Sequence, residues 1–220
     1  MIKHIKAEPY ELDLDRGQPA LMVMDMQRNV LGPGGCGGML GNDVSRLRST
    51  IEPTKKVLEA ARKAGLLVIH TREGHAPHLR DLQENKRIRG RGAKTIGDEG
   101  PMGRILVRGE KGHDIIPELY PIKGEIIIDK PGKGAFYATD LEHILRQNKI
   151  KYLIFCGVTV EVCVNTTMRE ANDRGFEPLV VEDATGSYFP EFKTSALDMI
   201  KAQGGIVGWV ADSKAALEVL

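Results

Sequence analysis

The sequence predicts an α/β protein: three layers, α/β/α, around a six-stranded, mostly parallel sheet of Rossmann-like type. Two observations predict it. Short apolar runs recur along the chain, at Leu21–Met24, Leu66–Ile69, Glu125–Ile128, Tyr152–Cys156, Pro178–Val181 and Ile206–Val210. Continuous runs of this kind suit strands buried on both faces. Helical periodicity fills most of the intervals between them, and alternating strands and helices imply parallel strands whose carboxyl ends share one edge.

Taken in order, residues 1–18 are polar and irregular, an arm expected to lie on the surface or on a neighbouring subunit. The first strand stops at Asp25, between Met24 and Met26. A carboxylate there falls on the edge where open α/β sheets bind ligands. Gly32, Gly34 and Gly37 formally spell GxGxxG. They start seven residues after the strand, include Pro33 and open no evident helix, so a flexible loop near Asp25 is expected and not a dinucleotide site.

Ile51 to Ala64 is helical, with Ile51, Leu58 and Ala61 on one face and Gly65 as its stop. The second strand runs into His70-Thr71-Arg72-Glu73-Gly74-His75, with His78 beyond. Imidazole and carboxylate are permissible metal ligands, but the spacing matches no strong metal motif, and no metal or other cofactor is expected. Residues 76–120 break the rhythm. Their Lys86-Arg87-Ile88-Arg89-Gly90-Arg91-Gly92 is read as a solvated or intersubunit face, because acidic residues are interspersed nearby. Further on, Thr139-Asp140-Leu141-Glu142 has the form of a capping box. Thr194 is read as the cap of the next-to-last helix, with Gly204-Gly205 as its stop.

The chain has 220 residues, with 31 Lys+Arg against 30 Asp+Glu, 41% hydrophobic and 28% charged. These are the proportions of one globular domain, expected over 1–220 with an irregular insertion at about 76–120. The near-zero net charge offers no general attraction to nucleic acid or to an acidic membrane. Three cysteines without zinc-like spacing indicate neither a disulfide framework nor a thiolate metal site. The opening residues form no apolar signal-like segment, and no run approaches the roughly 18 apolar residues of a membrane span. A cytoplasmic protein is therefore expected, without nucleic-acid or membrane partners.

Cys163 lies where the fourth strand has ended and helical periodicity (Val164, Met168, Ala171) begins. Unpaired N–H groups and a positive helix end favour a thiolate. A free cysteine is otherwise most often a small core residue. Parallel strands bring Asp25, Lys130 and the Cys163 loop to one edge. A lysine ammonium lowers a thiol pKa, and a carboxylate can take the thiol proton and return it to a leaving amine. Lys130 and Lys133 are both near; Lys130 ends the strand and is preferred, leaving Lys133 to solvent or a loop.

Three segments resemble the isochorismatase-like cysteine hydrolases: Val23-Met24-Asp25-Met26-Gln27, Asp129-Lys130-Pro131-Gly132-Lys133-Gly134-Ala135-Phe136 and Gly157-Val158-Thr159-Val160-Glu161-Val162-Cys163-Val164. The resemblance implies the isochorismatase-like hydrolase fold, a catalytic triad of Asp25, Lys130 and Cys163, a cis peptide at Val158–Thr159 and a homotetramer. It places Gln27, Val30, Val158 and Thr159 at the substrate, although Gln27 could equally brace the strand end.

The name-giving isochorismatases lack the cysteine, so Cys163 favours amide chemistry over vinyl-ether hydrolysis. Within the family, the segments at His70–His75, Gly109–Pro121 and Met168–Gly175 look most like biuret and triuret hydrolases. That implies a small carbamoyl or urea substrate. Ureidoacrylate or N-carbamoyl amidohydrolases and nicotinamidases are the alternatives, and Glu73-Gly74-His75 stands where nicotinamidases carry a metal-binding Asp-x-His. Arg28-Asn29-Val30 replaces an acidic residue and a Phe usual in the family. A reading from another class is an anion- or RNA-binding scaffold that uses the arginine-rich segment.

Overall fold

The protein is described here from a computed structural model, which covers residues 3–14, 18–89 and 94–220. Gly90, Arg91 and Gly92 of the basic segment lie outside the described residues. In chain order the elements are β1 (Lys3–Ile5), β2 (Leu12–Leu14), β3 (Gln18–Met24), α1 (Arg28–Leu31), α2 (Cys36–Met39), α3 (Ser45–Arg48), α4 (Ile51–Lys63) and β4 (Leu67–Glu73). Then come α5 (Glu84–Arg87), β5 (Glu99–Gly100), β6 (Gly103–Arg104), β7 (Ile126–Lys130), α6 (Leu141–Gln147) and β8 (Ile150–Val158). The chain continues with α7 (Asn165–Asp173), β9 (Glu177–Gly186), α8 (Pro190–Gly205), β10 (Trp209–Ala211) and α9 (Ser213–Leu217).

The main sheet has six strands in the order β10-β9-β8-β3-β4-β7, and every neighbouring pair in it is parallel. The chain starts at the centre with β3, moves outward through β4 to β7, then returns to β8 on the other side of β3. Strand order therefore reverses between β3 and β8, and ligands of open α/β sheets bind outside the carboxyl ends at such a point.

Side chains alternate across the sheet. Leu21 and Val23 of β3 join one core with Val57, Leu58 and Ala61 of α4 and Ala215 of α9. Ala20, Met22 and Met24 point the other way, to Leu141 of α6, Met168 of α7 and Leu197 of α8. This period of two places one helical layer on each face. Among the described residues, no helix is long and apolar enough to cross a membrane.

Three expectations need correction. Residues 3–14 are not irregular: β1 and β2 pair antiparallel, Ile5 opposite Leu12, and both side chains are buried in the core. Glu8 also bridges Val210 on the edge strand β10. The crossover from β4 to β7 contains only short elements. The Thr139 hydroxyl accepts from Leu141 N at 3.3 Å and donates to Ala135 O, with Asp140 at the cap position making no side-chain bond to the helix. Thr194 lies inside α8, donating back to Pro190 O; Pro190 begins that helix, as its fixed φ suits a first turn.

One polar knot ties α4 to the sheet edge. Glu125 accepts from Arg62 at 2.7 and 2.9 Å and from Ile122 N at 2.9 Å, and it lies 2.9 Å from His70 Nε2. Burial alone would raise its carboxyl, but Arg62, Ile122 N–H and His70 outweigh it and bring the pKa from 4.5 down to about 2. The unfolded chain therefore binds this proton first, and the stabilisation is present above about pH 4.5 and lost as pH falls towards 2. Glu125→Gln is expected to cost about 1–3 kcal/mol at pH 7. Urea unfolding between pH 3 and 7 should show the wild type losing part of its advantage over the variant as acid is added. A constant difference across that range would contradict the account.

Candidate active site

Asp25 leaves β3 with φ 49°, a left-handed turn that Asp tolerates better than most residues. Its N–H donates to the Thr71 carbonyl and lies 3.1 Å from the Thr71 hydroxyl. That hydroxyl donates to Oδ1 at 2.6 Å. Lys130 is the last residue of β7 and is fully buried; its ammonium lies 2.8 Å from Asp25 Oδ2 and 3.9 Å from Glu73 Oε2. It also donates to Gly132 O at 3.0 Å. Burial alone would depress this ammonium, but Asp25 first, and Glu73 with it, hold its pKa above the ordinary lysine value.

Glu73 ends β4. Its Oε1 accepts from Lys133 at 2.6 Å. Its Oε2 accepts from the Cys163 thiol at 3.6 Å, within reach for a sulfur donor. Burial works against its charge, but Lys130 and Lys133 overcome that and lower its pKa, so it is ionised.

Cys163 lies on a π-helical turn, Val160–Val164, directly after β8. The regular helix α7 starts only at Asn165. A helical segment thus begins just before Cys163, as expected, but the expectation of a thiolate there is not met. Burial raises its pKa well above 9.0; Lys130 pulls it down, and the two carboxylates push it up again. The resting group is a thiol, held by burial and donating to Glu73.

The structure thus brings Asp25, Lys130 and Cys163 together. A polar oxygen of Asp25, one of Glu73 and Cys163 Sγ all lie within 4.8 Å of one another. Such a set could accept a cation, but the Lys130 ammonium already supplies positive charge there. The histidines of the metal reading do not join it: His70 faces Glu125, His75 is 3.8 Å from Asp81, and His78 is exposed.

Gln27, Val30, Val158 and Thr159 all line the same cavity of about 280 Å³ with Cys163, and the peptide Val158–Thr159 is cis. Gln27 is nevertheless spent on structure. Its amide donates to Glu73 O and His113 O and accepts from Glu73 N, so it braces the strand ends, and its role as a substrate contact is withdrawn. Lys133 is exposed, as expected, and its ammonium also binds Glu73. Glu73 entered the sequence reading only as a metal ligand, although it ends its strand just as Asp25 ends β3.

Residues 19–212 match the sequence profile of the isochorismatase domain. The chain belongs to the isochorismatase family of hydrolases. Solved structures of similar fold include a cysteine hydrolase from Pseudomonas syringae pv. phaseolicola 1448A, 24% identical, covering 91% of each chain with a TM-score of 0.77. An isochorismatase family protein from Desulfovibrio vulgaris is 23% identical over 92% of this chain and 98% of that one, TM-score 0.76. N-carbamoylsarcosine amidase from Thermoplasma acidophilum is 26% identical over 89% and 96%, TM-score 0.68. Across this isochorismatase-family chain the site sits beside the switch between β3 and β8.

Proposed function

We propose that this chain is a cysteine amidohydrolase that cleaves the C–N bond of a small linear amide, in the carbamoyl and urea class to which biuret and triuret belong. The observation that carries the reading is a buried Cys163 thiol, hydrogen-bonded to ionised Glu73 beside the Lys130–Asp25 ion pair, at a cavity. Similarity to an amidase of a carbamoyl compound supports it.

In the proposed reaction Cys163 Sγ bonds to the carbonyl carbon while Glu73 takes the thiol proton. At rest that transfer is uphill, because the thiol pKa is raised and the Glu73 pKa lowered. It becomes favourable as the S–C bond forms and sulfur loses its negative charge. Asp25, whose oxygens are engaged by Thr71 and Lys130, positions the ammonium; the proton role expected of it passes to Glu73. Backbone N–H groups of Thr159 and Cys163 receive the oxyanion, a contribution of about 3 kcal/mol per donor. The C–N bond then breaks, Glu73 returns the proton to nitrogen and ammonia leaves. Water adds to the thioester, releasing the acid and regenerating the thiol.

The test is ammonia release from biuret, triuret, ureidoacrylate, N-carbamoyl amino acids and nicotinamide, with acid-quenched samples weighed by mass spectrometry. An acyl or carbamoyl adduct on the Cys163 peptide is expected with any compound turned over. Turnover that leaves Cys163 unmodified under quench, and insensitive to its alkylation, would sink the reading.

A further inference from the structure

The exposed lining of the cavity is mostly apolar. Its reactive end holds Asp25, Glu73, Lys133 and Cys163. Its walls are Val30, Leu40, Leu106, Val158, Val162 and the ring of Tyr188. The Tyr188 hydroxyl donates to Val30 O at 2.9 Å, so that polar atom is already engaged. Of the other polar lining groups, the Gln27 amide is engaged with Glu73 and His113, the Cys36 thiol donates to Asn29 O, and Asn42 and Thr159 remain. Leu40 and Val162 leave 55% and 36% of their surface in water, which a bound hydrocarbon group would cover. The charges are already matched: Lys130 with Asp25, Lys133 with Glu73.

From this we infer that the substrate is an uncharged primary amide or N-alkylurea whose far end is a hydrocarbon group. The inference rests on the cysteine amidohydrolase reading and revises its substrate: alkylureas stay within the carbamoyl and urea class, simple alkyl amides extend it, and biuret and triuret become poor substrates. Biuret and triuret carry amide groups along their whole length, and placing these against aliphatic walls strips water from them without replacing its hydrogen bonds. A carboxylate at the far end, as in an N-carbamoyl amino acid, meets no unpaired cation among the described lining residues, and an uncompensated charge there is costly. An alkyl group loses no hydrogen bond and gains by leaving water. At about 280 Å³ the cavity is near the lower end of the roughly 300–1,000 Å³ typical of ligand sites, so the group is short.

The experiment measures kcat/KM for ammonia release along acetamide, propionamide, butyramide, pentanamide and hexanamide, and along methyl-, propyl- and butylurea. Biuret and N-carbamoylglycine are assayed beside them. Each methylene is expected to raise kcat/KM by roughly threefold to fivefold until the cavity is full. Leu40→Asp, on the exposed rim, is expected to flatten that slope and lower the hexanamide value by roughly tenfold or more.

Faster Cys163-dependent turnover of biuret or N-carbamoylglycine than of the whole alkyl series would overturn the inference and leave the amidohydrolase reading intact. If no compound is turned over, that reading falls. Calorimetric titration of Cys163→Ser protein then still decides about the cavity: pentanamide bound more tightly than biuret supports the inference, and equal or weaker binding overturns it.

Discussion

Cys163→Ala is expected to lose about ten-thousandfold or more of ammonia release, because the proposed covalent step runs through this thiol, while the other thiol of the cavity lining, Cys36, donates to Asn29 O. Glu73→Gln should lose about a hundredfold to ten-thousandfold, the usual contribution of a positioned proton acceptor. The amide keeps the size of Glu73 and can still accept from Lys133, but it cannot take the thiol proton. The two variants separate the roles: Cys163→Ala forms no adduct, whereas Glu73→Gln forms one slowly, and single-turnover quench measures both. A Glu73→Gln protein with wild-type rates would return the proton role to Asp25. A Cys163→Ala protein that kept releasing ammonia would remove the covalent mechanism altogether.

Lys130→Met should damage both catalysis and folding. The ammonium is completely enclosed and balances Asp25 at 2.8 Å, with Glu73 at 3.9 Å. Methionine fills similar space without charge, leaving the Asp25 carboxylate buried and uncompensated. Removing one member of such a pair costs about 3–5 kcal/mol. For a chain of this size that lowers the melting temperature by roughly 10 °C. Activity should become undetectable. Adding Asp25→Asn should recover much of the stability without activity, since both charges are then gone. If the double variant melts no higher than Lys130→Met alone, unpaired charge is not what destabilises the single variant.

The layered architecture and the convergence of Asp25, Lys130 and Cys163 could be read from the chain because they follow from periodicity and from one rule, that parallel strands share a carboxyl edge. Asp25 and Lys130 each stand at the end of an apolar run, so their proximity needed no knowledge of distances. Glu73 obeys the same rule, but the histidines around it drew the reading towards metal ligation. The partner of Lys133 was invisible because Lys133 lies in a loop, where direction is set by chain path and not by periodicity. The resting thiol was misjudged for another reason. A local argument from the helix start could not see the burial and the two carboxylates that tertiary structure adds. The pairing of Ile5 with Leu12 was missed because three-residue strands are too short to show alternation.

Gly157 adopts φ 112°, and a Cβ there would meet Met24 O at 2.2 Å. The backbones of β3 and β8 approach closely at the place where one is about to present Asp25 and the other Cys163. In a saturation-mutagenesis survey scored on growth or turnover, position 157 will tolerate substitution as poorly as the nucleophile itself. It has no side chain to react, bind or titrate. Tolerance maps of this protein will therefore mark a point of structural contact as though it were chemical machinery, and only a parallel score of folded abundance will tell the two apart.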